Sequence, residues 1–139
     1  MLTTKMTWAG GLKFEGVSVF GHKIATDVAR DAGGNEDGYK PTELLLFGIA
    51  GCTGVDIVRI LKKQRQQVTG IDIDVTGHQP DEYPKPFETV EITYTIRGRE
   101  LDEKKVAQAI ELSHAKYCVV SQTVKNPGRV VTSFRVVPE

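Results

Sequence analysis

Only two cysteines and one tryptophan occur among the 139 residues, and the cysteines, Cys52 and Cys118, lie 66 positions apart. Neither a CxxC pair nor a paired Cys/His spacing is therefore present, which leaves a zinc finger or a thioredoxin-type motif without sequence support. Charge of one sign is also missing. Eighteen Lys and Arg balance eighteen Asp and Glu, so there is no net field to draw the chain to nucleic acid or anionic lipid, and neither partner is expected. Met1–Gly10 carries one lysine and no following apolar run, so no export signal is expected. The longest apolar stretch, Leu44–Ile60, is broken by three glycines, Asp56 and Arg59; it reads as too short and too polar to span a membrane. On these absences a cytoplasmic location is expected. In that reducing compartment the two cysteines are not expected to form a permanent structural bridge, and they are either packed apolar side chains or redox groups.

What is present suits one soluble domain, 1–139, large enough to bury a core without a staple. The first 27 residues read as a meander of three strands, with Leu12, Phe14 and Gly16 alternating against Lys13 and Glu15 and with turns at Gly10-Gly11 and Gly21. Ala29–Lys40 is a polar, glycine-rich connection long enough to be a functional loop. Pro41 is suited to the first position of a helix, which the pattern carries to Gln66. Up to Ile60 this helix is apolar on nearly every face and is expected inside a core. Gly48, Gly51 and Gly54 recur every three residues along it. Each glycine costs up to about 1 kcal/mol relative to alanine, so a close approach of another backbone is expected in return.

Alternation over Ile71–His78 and Val90–Ile96 predicts two further strands, and Leu101–Ser113 an amphipathic helix with Asp102 as its N-cap. Cys118 falls at the start of a short third helix within Lys116–Lys125, and Arg129–Val137 reads as a final strand. Segregated runs of strands and helices favour an α+β fold with antiparallel pairing.

Cys52 has small neighbours, Ala50, Gly51, Thr53 and Gly54, which leave room for access to its sulfur. Cys118, at a helix start, meets unpaired N–H groups that favour a thiolate. On local electrostatics alone Cys118 is the more activated thiol. A thiol of ordinary pKa near 8.5 is only a few per cent ionised at neutral pH, and lowering that value by roughly 2 units takes about 2.7 kcal/mol of preferential thiolate stabilisation. One well-placed arginine supplies that. Asp56 and Arg59, three apart on the helix, are expected to pair with each other or across a dimer. His22, His78 and His114 are expected to be surface or satisfied polar groups, and Glu36 and Asp37 to be solvated.

Two segments, GYKPTELLLFGIAGCTGVDIVRILKK (Gly38–Lys63) and HAKYCVVSQTV (His114–Val124), resemble the two cysteine motifs of the OsmC/Ohr family of hydroperoxide reductases. The strand order resembles that family too. The resemblance implies an OsmC-like α+β fold, with antiparallel sheets packed around long central helices in an intertwined homodimer. It implies a thiol peroxidase in which Cys52 is peroxidatic and Cys118 resolving, so that organic hydroperoxides or hydrogen peroxide are reduced through a sulfenic acid and a Cys52–Cys118 disulfide. The implied partners are a hydroperoxide substrate and a dithiol or dithiol-protein reductant; no metal or organic cofactor is expected. The family's arginine beside the peroxidatic thiol is matched here by Arg30. Its glutamate directly after the helix-starting proline is not: Thr42 stands there, and Glu43 follows about 100° further round the helix. The competing reading is a non-enzymatic dimer that binds a small apolar ligand, with incidental cysteines.

Overall fold

The computed structural model describes residues 1–138. Its elements run β1 (Met6–Trp8), β2 (Phe14–Val17), β3 (Lys23–Thr26), α1 (Pro41–Lys63), β4 (Gln67–His78), β5 (Thr89–Arg99), α2 (Glu103–Leu112) and α3 (Val119–Lys125). A 3-10 turn covers Arg30–Ala32 and a π turn Ser113–Tyr117. The expected N-terminal meander forms as an antiparallel sheet in the order β1-β2-β3, with Trp8 opposite Phe14 and Glu15 opposite Ala25. Gly10, Gly11 and Gly21 take positive φ at its turns, the backbone region for which glycine is the default residue. Strands β4 and β5 make a second sheet, completing the α+β class. The chain forms two compact units, one of Met1–Gly48 with Val75–Glu91 and one of Ile49–Asp74 with Ile92–Glu139.

In the first unit the polar connection is built around a buried carboxylate. Asp27 Oδ1 accepts the Val28 N–H at 2.8 Å, and Oδ2 accepts the N–H groups of Asn35 and Asp37, each at 3.1 Å. Those backbone bonds, from Val28 and Asp37 above all, hold the Asp27 carboxyl below its usual range. The loop is closed tightly enough that a Cβ on Gly34 would stand 2.1 Å from the Val28 carbonyl oxygen. Glu36 and Asp37 are exposed, as expected, and make surface ion pairs with Arg30 and Lys13 respectively.

Helix α1 begins at Pro41, where a missing N–H costs nothing. The Glu43 carboxylate reaches back to accept the Lys40 N–H at 2.9 Å, one half of a capping box. The expectation that this helix is buried on most faces is corrected. Its fully buried residues are Ile49, Thr53, Ile57 and Leu61, a single stripe at intervals of four, whereas Phe47, Val55 and Val58 are about half exposed. Elements of its own chain cover one face and leave the others open. By length and composition α1 is also long and apolar enough to cross a membrane, contrary to the reading of its glycines and charges; core helices of soluble proteins share that property. Of its glycines, Gly54 meets a close neighbour, the Ile73 Cδ1 3.1 Å from where a Cβ would stand, while nothing lies within 4 Å of that position at Gly51.

The second unit holds the hydrophobic core, in which Ile57 and Leu61 of α1 meet Ala109 of α2 over Val68, Ile71 and Ile96 of the sheet. Asp102 caps α2 as expected, its side chain accepting the Lys104 N–H at 2.9 Å. The strand expected over residues 129–137 is absent. Val130, Val131, Phe134, Val136 and Val137 are largely exposed and unpaired, because alternation supplies strand propensity but no neighbour within the chain offers a ladder. Leu61, fully buried at the centre of this core, sets a stability test. Leu61→Ala is expected to lower the unfolding free energy by about 2–5 kcal/mol in denaturant titration; a loss well below that range would show the core placed elsewhere.

Candidate active site: two thiols and a carboxylate

Helix periodicity puts Cys52 and Asp56, four residues apart, on one face of α1. Cys118 arrives from the other end of the unit. The π turn after α2 is closed by the Cys118 N–H donating to the Ser113 carbonyl at 2.7 Å, and Cys118 then caps α3, its sulfur accepting the Ser121 N–H at 3.3 Å. Single π turns inside helical segments commonly mark functional positions. The result is convergence: the Cys52 and Cys118 sulfurs and an Asp56 carboxylate oxygen all lie within 4.8 Å of one another. Both cysteines are free thiols, Cys118 fully buried and Cys52 half-buried. A disulfide needs its sulfurs about 2.05 Å apart, so the pair must close by less than about 3 Å.

Burial pushes the Cys118 thiol up to about 11. The Ser121 N–H pulls the other way, and the neighbouring Cys52 and Asp56 add to the rise. Helix-start electrostatics had favoured Cys118 as the activated thiol; the amide is there, but desolvation outweighs it.

A continuous set of hydrogen bonds surrounds the thiols. Ser113 Oγ donates to Asp56 Oδ2 at 2.8 Å and lies 2.9 Å from the Thr53 hydroxyl. Thr53 Oγ1 is 3.0 Å from the Tyr94 hydroxyl, Tyr94 bonds to His114 Nε2, and His114 Nδ1 is 2.9 Å from Ser121 Oγ. One direction in this set is fixed by the carboxylate. A carboxylate only accepts, so Ser113 is the donor to Asp56, and its single proton is shared between Asp56 Oδ2 and the Thr53 hydroxyl oxygen. Burial, reinforced by Lys125, lowers the His114 pKa against the opposing pull of Asp56, which keeps the ring neutral. Burial raises that of Tyr94 and keeps its proton in place.

Of the residues singled out from sequence, Cys52 and Cys118 come together. Arg30 and Glu43 belong to the first unit, where Arg30 pairs with Glu36 at 3.2 Å and Glu43 caps α1. Asp56 forms no ion pair with Arg59 among the described residues; it bonds to Ser113 instead. Sequence reasoning gave Asp56 to an ion pair with Arg59 and His114 to a surface or satisfied polar role, and passed over Ser113, Thr53, Tyr94 and Ser121 as site residues. The usable signal was the Cys52–Asp56 interval of four.

An α+β chain with two converging thiols defines a two-cysteine protein of mixed fold. A family model described as OsmC-like protein matches residues 33–133. Protein YhfA of Escherichia coli K12 is 31% identical over 136 residues, covering 98% of each chain. A crystal structure of a hypothetical protein from Aquifex aeolicus VF5 is similar at 35% identity and TM-score 0.79, covering 91% of this chain and 89% of that one. The fold is also that of the organic hydroperoxide resistance protein OhrB of Bacillus subtilis, at 24% identity, TM-score 0.59 and coverage of 91% and 93%. The chain belongs to the OsmC family.

The lowered His114 pKa fixes a pH dependence. An unfolded histidine takes up its proton near about pH 6.5, the folded one only at lower pH. The folded state is therefore undiminished above about pH 6.5 and loses stability as the pH falls from there towards the folded pKa. Urea midpoints at pH 7.5 and 5.5 should show this loss, and His114→Gln should shrink it; an identical pH slope in the variant would contradict the assignment.

Proposed function

We propose that this chain is a thiol-dependent peroxidase acting on organic hydroperoxides, with hydrogen peroxide as a second substrate. The observation that carries the reading is the convergence of the two sulfurs. In the proposed cycle the Cys52 thiolate attacks the O–O bond of the hydroperoxide. One oxygen is kept as the Cys52 sulfenic acid, and the other leaves as an alkoxide that takes a proton to become the alcohol. Cys118, protonated near neutrality because its pKa lies at about 11, then condenses with the sulfenic acid. A disulfide forms and one water departs. An external dithiol restores both thiols by exchange, becoming a disulfide itself.

Cys52 takes the peroxidatic role because its sulfur is the less buried of the two, and Cys118 the resolving role. Arg30 is our candidate for the activating cation. Its exposed pairing with Glu36 holds it by no more than about 1 kcal/mol, which leaves it exchangeable. Glu43 caps the first turn of α1, the helix that carries Cys52.

With dithiothreitol as reductant, wild-type protein should consume cumene hydroperoxide catalytically and Cys52→Ser should not. Cys118→Ser should stop at a sulfenic acid that dimedone traps. Equal turnover by Cys52→Ser would sink the reading.

We also infer a homodimer, because α1 leaves Leu45, Phe47, Val55 and Val58 substantially exposed and Gly51 facing open space, more apolar surface than a stable monomer usually shows. Sedimentation should give twice the 15.3 kDa chain mass; a folded monomer at micromolar concentration would refute it.

A further inference from the structure

We propose that the reduced protein binds a thiophilic divalent cation of the zinc type through Cys52, Asp56 and Cys118, with one coordination position left open. This goes beyond the peroxidase reading and does not depend on it.

The donor set is two sulfurs and one carboxylate oxygen, a combination suited to zinc-like metals and poorly suited to magnesium or calcium. The three atoms already lie within 4.8 Å of one another. A tetrahedral zinc ion with bonds of about 2.3 Å to sulfur and about 2.0 Å to oxygen needs its donors roughly 3.5–3.8 Å apart, so the cluster must contract by about 1 Å. Side-chain adjustment on that scale is ordinary for an unfilled site.

The placement along the chain has the same logic as known metal helices. Cys52 and Asp56 sit four residues apart on one face of α1, the interval at which two helical side chains chelate one ion. Cys118 supplies the third donor from a separate element. Two of the three ligands are already steadied from behind: Ser113 Oγ donates to Asp56 Oδ2 at 2.8 Å, and the Ser121 N–H donates to the Cys118 sulfur at 3.3 Å. Such supporting bonds orient ligands for metal. Among the described residues Asp56 has no ion-pair partner, so the carboxylate beside two thiols lacks a protein cation to balance it.

His114 is near but excluded as a fourth ligand, because both of its ring nitrogens are engaged, by Tyr94 and by Ser121. Three protein ligands and one open position describe an exchangeable site rather than a closed structural one.

Binding replaces the thiol protons, releasing up to two to solvent, and commits the Cys52 sulfur to the metal. Oxidation to the Cys52–Cys118 disulfide removes two of the three donors and frees the ion. The site is thus a metal site only in the reduced chain, and the metal protects the thiols from oxidation.

The test uses Zn²⁺ and Cd²⁺ with the full reduced chain and no peroxide, so its outcome is separable from that of the peroxidase assay. Titration of Zn²⁺ against a chromophoric chelator should give one equivalent per chain with a Kd of roughly 1 µM or tighter. Conversion to the disulfide with diamide should release that equivalent. Asp56→Asn, with an unchanged circular dichroism spectrum, should weaken binding roughly tenfold or more. Cd²⁺ should produce a sulfur-to-metal absorption band of two-thiolate intensity in the wild type, a measurement that stands even where the variant fails to fold. No zinc bound at 100 µM, roughly a hundred times the expected Kd, would overturn the proposal. So would a band of one-thiolate intensity, or an Asp56→Asn variant that binds as tightly as the wild type.

Discussion

A carboxylate can accept hydrogen bonds and never donate one, and that asymmetry at Asp56 orders the polar interior of the second unit. With Asp56 as the fixed acceptor, Ser113, Thr53, Tyr94, His114 and Ser121 form one continuous series of hydrogen bonds. Each of these groups is buried or half-buried, and breaking one link would leave an unpaired polar atom at a cost of about 1–3 kcal/mol. The series ties the end of α2, the π turn and the start of α3 to α1. These bonds carry the π turn and the start of α3, and with them Cys118, to the face of α1 that holds Cys52.

The same placement divides the chemistry between two thiols that are alike in the sequence. Cys118 sits where a helix start offers its sulfur an N–H, an arrangement worth about 0.3–1 kcal/mol to a thiolate. It is also fully buried and faces a carboxylate and a second sulfur. Desolvation and like charge both oppose ionisation, and together they prevail. A thiol that keeps its proton is a poor first nucleophile; in the cycle we propose it suits the second step, attack on a sulfenic acid formed a few ångströms away, where water leaves with that proton.

Much of the fold was legible because its signals were local. The Gly10-Gly11 and Gly21 turns, Pro41 at a helix start and Asp102 as an N-cap each act within a few residues of where they stand. Features that depend on distant partners were not legible. An apolar helix looks the same whether its own chain or a second copy covers it, and α1 is covered on one stripe only. Alternation over residues 129–137 could not reveal that no strand of this chain lies alongside. The partner of Asp56 was misjudged for the same reason: Arg59 is near in sequence, but Ser113 lies 57 residues away and wins because its hydroxyl stands 2.8 Å off within the fold.

The departure at Thr42 acquires a physical account from the loop before α1. At its actual position Glu43 is the third residue of the helix, where a carboxylate reaches back to the Lys40 N–H, and it does so. The carboxylate that steadies Arg30 belongs to the loop instead. Glu36 accepts from both the Arg30 backbone N–H at 3.0 Å and its guanidinium at 3.2 Å. Glu36 itself is held at φ 55, a left-handed conformation that costs a non-glycine residue about 1–2 kcal/mol. That cost is offset on either side, because the buried Asp27 carboxylate takes the N–H groups of Asn35 and Asp37 and fixes the backbone that flanks it. One buried acid therefore shapes the turn, the turn presents a second acid to the arginine, and the first turn of α1 keeps the third for its own cap.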